Sequence, residues 1–123
     1  MQDQVGIVRN QQDMEQALEK IQEYRVQAAK VGVPGNREYN PGWHTALDLH
    51  MLLTVSEAVA RAGIQRKESR GAHFREDFPD KDPGHFAGVN SIVSKGPDGE
   101  MQIREEPIIA QTAEQKQIIE EMK

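Results

Sequence analysis

Cysteine is absent from this chain of 123 residues. Its absence excludes disulfides, thiolate metal sites, cysteine-held iron–sulfur clusters and a thiol nucleophile. Aromatic residues are also few, with three Phe, two Tyr and one Trp, so the predicted core is mostly aliphatic. Basic residues are outnumbered by acidic ones, and the net charge of −5 argues against a general nucleic-acid binder.

Long apolar runs are missing too. No stretch reaches the roughly 18 apolar residues of a membrane-spanning helix, and residues 1–4 lack the basic and apolar regions of a secretory signal. We therefore expect one domain of ordinary size that is soluble and cytoplasmic, without nucleic-acid binding and without direct membrane insertion.

The first strong pattern predicts an amphipathic helix over residues 13–30. Asn10 is suited to an N-cap, and Asp13 stands where a capping box has Glu. Gly32 and Pro34 end the pattern. The apolar positions recur at spacings of three and four, as on one helical face: Met14, Ala17, Leu18, Ile21, Tyr24, Ala28 and Val31.

A second helix is predicted from residues 43–45 to Ile64, and it is apolar on most of its circumference. One stripe comprises Leu47, Met51, Thr54, Val55, Ala58 and Ala62; the other comprises Leu49, Leu52, Leu53, Ser56, Val59 and Ala60. The first helix can cover only one stripe, so the pattern predicts a further partner for the other. Gly63 costs about 1 kcal/mol relative to Ala within a helix, and we interpret it as a bend.

The chain after Pro79 changes to loop and strand patterns. Residues 89–94 and 101–104 read as two strands, and Gly96-Pro97-Asp98-Gly99 is a strong turn signal. The last residues, 112–123, predict a terminal amphipathic helix. The expected fold is mainly α: a short antiparallel helical bundle (residues 1–79), a loop and β-hairpin tail (80–110) and a terminal amphipathic or disordered segment (111–123), all in one domain.

Motifs for catalysis, cofactors and metals are not found. The four histidines lack the spacing of a metal site, and no serine lies in a GxSxG context. No glycine-rich turn joins a strand to a helix, so a dinucleotide fingerprint is missing as well. We therefore predict no catalytic, cofactor-binding or metal-binding residue and no autonomous activity.

The densest charge lies in residues 66–79, where eight of fourteen residues are ionisable. Arginines and carboxylates at this density can form bidentate ion-pair networks, which fix the register of a domain contact better than they stabilise a fold. Gly71 indicates a helix C-cap or a close backbone approach. A solvated helix end is the simpler interpretation of the same charges.

This run, from Glu68-Ser69-Arg70-Gly71-Ala72-His73 to Arg75-Glu76-Asp77-Phe78-Pro79, resembles the ESRGAH-x-RED-[FY]-P stretch of succinate dehydrogenase and fumarate reductase flavoprotein subunits. The resemblance extends over most of the chain, through Met1-Gln2-Asp3, through Thr45-Ala46-Leu47-Asp48-Leu49 and through the hairpin turn at Asp98-Gly99-Glu100. L-Aspartate oxidase and adenylylsulfate reductase belong to the wider family, and the corresponding domain of either remains an alternative.

The resemblance implies the C-terminal helical domain of such a subunit. It implies a spectrin-repeat-like three-helix bundle whose first helix is truncated near Met1, as in an excised domain or a shortened reading frame. FAD is then held by a preceding flavin-binding domain and by no residue of this chain. That domain and the iron–sulfur subunit are the implied partners, with a location at the cytoplasmic face of the membrane as part of a complex.

The implied interdomain interface comprises Glu68, Ser69, Arg70, His73 and Arg75. Without the flavin domain, we expect Arg70, His73 and Arg75 to contact solvent or a neighbouring molecule. The uncovered apolar stripe then predicts a homodimer of the isolated chain. A free-standing helical interaction module that binds a different partner is the alternative, and the reading frame upstream of codon 1 would discriminate the two.

Overall fold

The computed structural model describes residues 1–122. The first helix, α1 (Gln11–Ala28), and the second, α2 (Pro41–Gln65), form an antiparallel pair. Near one end Met14 clusters with Val5, Ala17 and Ala60, and near the other end Ile21 and Ala28 cluster with Leu53. These two small clusters make up most of the core, and Phe86 is its one buried aromatic residue within the described chain, in agreement with the few aromatic residues of the sequence.

Both helices begin at asparagine caps. Oδ1 of Asn10 accepts a hydrogen bond from the backbone N–H of Asp13 at 2.8 Å, and Nδ2 of Asn10 donates to Oδ2 of Asp13 at 2.9 Å. In a capping box the acidic residue would accept the backbone N–H of the cap residue, but Asp13 instead accepts the side-chain amide of Asn10. Asn40 caps α2, with Pro41 in the first turn, where a missing N–H does no harm.

Gly63 has a packing role in an unbroken helix. A Cβ at this position would lie 2.9 Å from Sδ of Met14, which is fully buried. The glycine thus allows α1 and α2 to approach closely at residue 63, a role that the sequence pattern did not indicate, and the bend stays a prediction.

One side of α2 is left uncovered, as its two apolar stripes predict. Leu53 and Ala60 are buried against α1. The uncovered side, named here the α2 apolar face, exposes 48% of Leu47, 67% of Met51 and 61% of both Leu52 and Val55.

Two pairs of strands complete the fold. The short strands β1 (Val8–Arg9) and β2 (Phe74–Arg75) pair in parallel and bring the start of the chain to the charged run. The strands β3 (Val89–Lys95) and β4 (Met101–Pro107) form the predicted antiparallel hairpin, each longer than its sequence pattern indicated. At the turn Gly99 has a φ of 89°, which favours glycine.

The last helix, α3 (Ala113–Glu121), matches the predicted terminal helix apart from Lys123, which lies outside the described residues. Thr112 and Gln115 form a complete capping box at its start. None of its residues is buried, so its apolar side chains, including Ile118 and Ile119, stay partly exposed. Across residues 1–122, no helix combines the length and apolarity needed to cross a membrane.

Candidate functional site

Arg75 lies at the centre of the charged run and is fully buried. The β1–β2 pairing positions it, because Arg75 is the register partner of Arg9 and the next residue, Glu76, donates its backbone N–H to the Arg9 carbonyl at 2.9 Å. Nη1 of Arg75 donates to the carbonyls of Gly63 and Ile64, both at 3.0 Å. These are carbonyls of the last helical turn, which have no partner within the helix, so Arg75 caps the C-terminal end of α2.

Asp77 connects the same guanidinium to α1. Oδ1 of Asp77 accepts from Nε of Arg75 at 2.8 Å, and Oδ2 accepts from Nη2 at 2.5 Å. Oδ2 also accepts the backbone N–H of Gln11, the first residue of α1, at 3.1 Å. Hydrogen bonding to Arg75 lowers the pKa of Asp77. One bidentate pair therefore caps the end of α2 and the start of α1 together.

Glu68 is the second buried charge of the run. Oε1 accepts from Nε of Arg66 at 2.7 Å and from Nε of Arg70 at 2.8 Å, while Oε2 accepts from Nη2 of Arg70 at 3.0 Å and from the Asp82 N–H at 2.9 Å. The hydrogen bond from Arg70 outweighs the opposing effect of burial and lowers the pKa of Glu68 to about 2. The carboxylate is thus ionised and holds the Arg70 fork in place.

Ser69 and Gly71 shape the backbone between these charges. Oγ of Ser69 accepts the Arg75 N–H at 2.8 Å and donates to the Phe78 carbonyl at 2.8 Å. The chain then reverses between Arg70 and His73, which bond each other through their backbones. Gly71 has a φ of 60° within this turn. It is therefore a turn glycine and not the helix C-cap that the sequence allowed, since α2 ends at Gln65 with Arg66 as its C-cap.

His73 has a donor on one side of its ring and an acceptor on the other. Nε2 lies 3.1 Å from the Arg66 carbonyl, and Nδ1 lies 3.0 Å from Nη1 of Arg9. A carbonyl only accepts and a guanidinium only donates, so the ring carries its proton on Nε2. Burial lowers the pKa of His73, and the charges of Arg9, Arg75 and Arg66 lower it further. The neutral form is the stable one here.

The five predicted site residues thus fall into two groups. Glu68, Ser69 and Arg75 face inward, with 0%, 8% and 0% of their surfaces exposed. Arg70 and His73 are partly exposed. The expectation that Arg75 contacts solvent does not hold, because backbone carbonyls and Asp77 enclose its guanidinium.

The sequence patterns did not predict two sets of side-chain contacts, one made by Arg9 and one made by Glu57. Arg9 joins the charged run from 64 residues away, and no local pattern indicates such a pairing. Glu57 is 2% exposed and lies 2.6 Å from both Arg25 and Arg61, tying α1 to α2. The i,i+4 spacing of Glu57 and Arg61 was the available signal for that pair. Within residues 1–122, no group of three or more metal-binding side chains is close enough to hold an ion.

Comparison with known proteins gives a consistent family. The family described as "Fumarate reductase flavoprotein C-term" matches residues 1–120. The fumarate reductase flavoprotein subunit of Mycobacterium tuberculosis is 33% identical over 104 residues, which are 84% of this chain and 18% of that protein. The succinate dehydrogenase flavoprotein subunit of Coxiella burnetii is 39% identical over 88 residues, or 70% of this chain and 15% of that protein.

A solved structure shows the same fold. Mycobacterium smegmatis Sdh1, determined in complex with UQ1, superposes with a TM-score of 0.75 at 38% identity, covering 91% of this chain and 19% of Sdh1. The chain spans less than a fifth of the length of these relatives. The match over nearly all of its residues shows that the chain belongs to the family of C-terminal domains of fumarate reductase and succinate dehydrogenase flavoprotein subunits.

Proposed function

We propose that this chain serves as the C-terminal helical domain of an oxidoreductase that interconverts succinate and fumarate. In this role it packs against the flavin-binding domain and is not catalytic alone. The observation that carries the proposal is the family match over residues 1–120, combined with coverage of only 18% of a full-length flavoprotein. FAD then belongs to the remaining part of the protein, and none of the residues described above is assigned to it.

The proposed contact with the flavin-binding domain comprises Arg70 and His73, supported by Glu68, Ser69 and Arg75. Arg70 and His73 reach the surface, and the three buried residues hold the turn that carries them. A guanidinium fixed by two bonds to a buried carboxylate loses little rotamer freedom when a partner docks. The buried network therefore favours a preformed contact surface over an adaptable one.

A chimera tests the proposal. The C-terminal region of the M. tuberculosis fumarate reductase flavoprotein subunit is replaced with this chain, and bound FAD and fumarate-dependent oxidation of a reduced dye are measured. We expect the chimera to hold FAD and to reduce fumarate, whereas the same subunit without a C-terminal region should do so poorly. A folded, FAD-loaded chimera that is no better than the deletion would contradict the proposal.

As part of a flavoprotein subunit, this chain would also belong to a complex with an iron–sulfur subunit at the cytoplasmic face of the membrane.

A homodimer of the isolated chain through the α2 apolar face is a separate proposal. That face exposes Leu47, Met51, Leu52 and Val55 side by side, and contiguous apolar surface of this kind favours association. Light scattering that gives a strict monomer, unchanged by Leu52→Glu, would exclude the homodimer.

A free-standing interaction module is the second candidate. It is favoured by one observation, namely that Arg75 and Asp77 join the end of α2 to the start of α1 through hydrogen bonds within this chain. Calorimetry of this chain against the separately expressed flavin-binding part discriminates the two functions. Binding supports the flavoprotein role, and no binding to a folded, FAD-loaded partner favours the free-standing module.

A further inference from the structure

A cleft of about 420 Å³ opens where β1, the end of α2, the turn before β2 and β3 meet. Its polar lining comprises Arg9, Arg66, His73, Asn90 and Ser91, and its floor is formed by small or apolar residues of α2. No carboxylate lines it. The cleft lies beside the Arg75–Asp77 pair that joins α1 to α2, and none of its polar lining residues takes part in that pair.

Arg9 enters this cleft without a counter-ion. Its Nε donates to the Gly6 carbonyl at 2.6 Å, and its Nη1 faces Nδ1 of His73 at 3.0 Å, so both partners are neutral. Among residues 1–122, no carboxylate lies within ion-pair distance of Arg9. Its Nη2 makes no hydrogen bond to the described protein atoms. A partly buried guanidinium in this state attracts an anion.

Arg66 adds a second positive group with spare donors. Nε of Arg66 bonds Glu68, and Nη2 bonds the Phe86 carbonyl at 2.7 Å. Glu68 also bonds Arg70, so one carboxylate is shared between two guanidiniums. The charge of Arg66 is therefore only partly compensated, and its Nη1 has no acceptor among the described residues.

Ser91 supplies an independent sign of a missing ligand. Its Oγ is buried and has no hydrogen-bond partner in the described part of the chain, and Ser91 lines the same cleft. A buried hydroxyl without a hydrogen-bond partner costs about 1–3 kcal/mol. An anion in the cleft would remove this cost by accepting a hydrogen bond from the Ser91 hydroxyl. Neutral His73 is compatible with this arrangement, since its own ring nitrogens are already engaged.

We propose that the cleft binds the oxyanion group of a small molecule, a phosphate or a carboxylate, through Arg9 and Arg66 with Ser91 and Asn90 at its edge. The planar fork of a guanidinium matches both anions. The site goes beyond the proposed flavoprotein role and does not rest on it. It overlaps the proposed domain contact only at His73: the exposed cation of that contact is Arg70, whereas the cleft uses Arg9.

Titration of the isotope-labelled chain tests the site. Inorganic phosphate and succinate are added in separate arms, with sodium chloride at matched ionic strength as the reference, and the Arg Nε–H and His73 ring signals are followed by NMR. We expect saturable shifts at Arg9, Arg66 and His73 with at least one anion. Saturation with phosphate alone identifies a phosphate ligand, and saturation with succinate alone identifies a carboxylate ligand. Shifts equal to those in chloride for both anions would overturn the proposal.

Variants locate the binding. Arg9→Gln removes a charge-assisted contact and should weaken binding about tenfold or more. Because Arg9 also bonds Gly6, Asn90→Asp provides a second variant: this exposed strand residue places a negative charge at the cleft. Asn36→Asp, on an exposed loop, is its matched control and should bind as the parent does. Undiminished binding by a folded Asn90→Asp variant would also overturn the proposal.

Discussion

Nη1 of Arg9 lies 3.0 Å from Nδ1 of His73, and this contact fixes the imidazole as the neutral Nε2–H tautomer. A proton on Nδ1 would face the guanidinium directly. The sequence shows only a histidine and an arginine 64 residues apart, so the tautomer follows from the fold and not from local context.

We expect His73 to make the protein less stable in mild acid. Its pKa is lower in the folded chain than the ordinary value of 6.5, so below pH 6.5 the unfolded chain binds a proton that the folded chain does not. The free energy of unfolding should therefore fall as pH drops below 6.5. Urea unfolding across this range should show a weaker pH dependence for His73→Gln. A His73 ring that protonates above pH 6.5 would contradict the expectation.

Glu68 should add a second loss of stability at lower pH. Its pKa falls from 4.5 to about 2 on folding, so its contribution is present above pH 4.5 and is lost as pH falls toward 2. Glu68→Gln should reduce the free energy of unfolding at pH 7 by about 3 kcal/mol, because a neutral amide cannot replace the charge-assisted hydrogen bonds of the buried carboxylate to Arg66 and Arg70. Glu106→Gln is the control. Glu106 pairs with Arg104 on the exposed hairpin, and its loss should cost less than about 1 kcal/mol.

Arg75→Lys should destabilise the helix pair despite keeping the charge. A lysine cannot donate to Gly63, Ile64 and Asp77 at once, because it lacks the planar fork. We expect a loss of about 3 kcal/mol in the free energy of unfolding, measured by chemical denaturation with far-UV circular dichroism. The same exchange at exposed Arg104 should change stability by less than about 1 kcal/mol. Equal effects at the two positions would show that Arg75 does not cap α2.

Gly63→Ala should be destabilising even though alanine is the better helix former. The new methyl group would lie 2.9 Å from Sδ of fully buried Met14. Overpacking costs about 1–3 kcal/mol, against a gain in helix propensity of about 1 kcal/mol. We expect a net loss of up to about 2 kcal/mol in thermal or urea unfolding. Gly32→Ala, with open space around it, is the control; a stabilised Gly63→Ala variant would refute the close approach.

Local patterns were sufficient for the two long helices and the hairpin. The three-and-four spacing of Met14, Ala17 and Ile21 and the turn at residues 96–99 each lie within a few neighbouring residues, and the structure confirms both. Both helices start at least two residues earlier than predicted, at Gln11 and Pro41, because Asn10 and Asn40 cap earlier turns than the apolar pattern marks.

The candidate site could be predicted only in part. The sequence placed charge at residues 66–79, but charge alone does not distinguish a solvated surface from a buried network. The position of Arg75 depends on the β1–β2 pairing, and strands of two residues are too short to leave a pattern. Glu68 reaches a backbone N–H fourteen residues away, at Asp82, which no local pattern indicates. Arg9 was missed for the same reason.

The pairing of β1 with β2 also bears on the order of folding. Contacts such as Gln11 with Asp77 close a loop of 66 residues, and the entropy of that closure is lost before any contact compensates for it. We therefore expect α1 and α2 to pair first and the charged turn to lock them afterwards. Asp77→Ala should then speed unfolding with little effect on the folding rate; a φ-value near 1 would contradict this order. The Arg75–Asp77 contacts would therefore prolong the lifetime of the folded helix pair by slowing its unfolding, whereas the aliphatic core would set the rate at which the two helices pair.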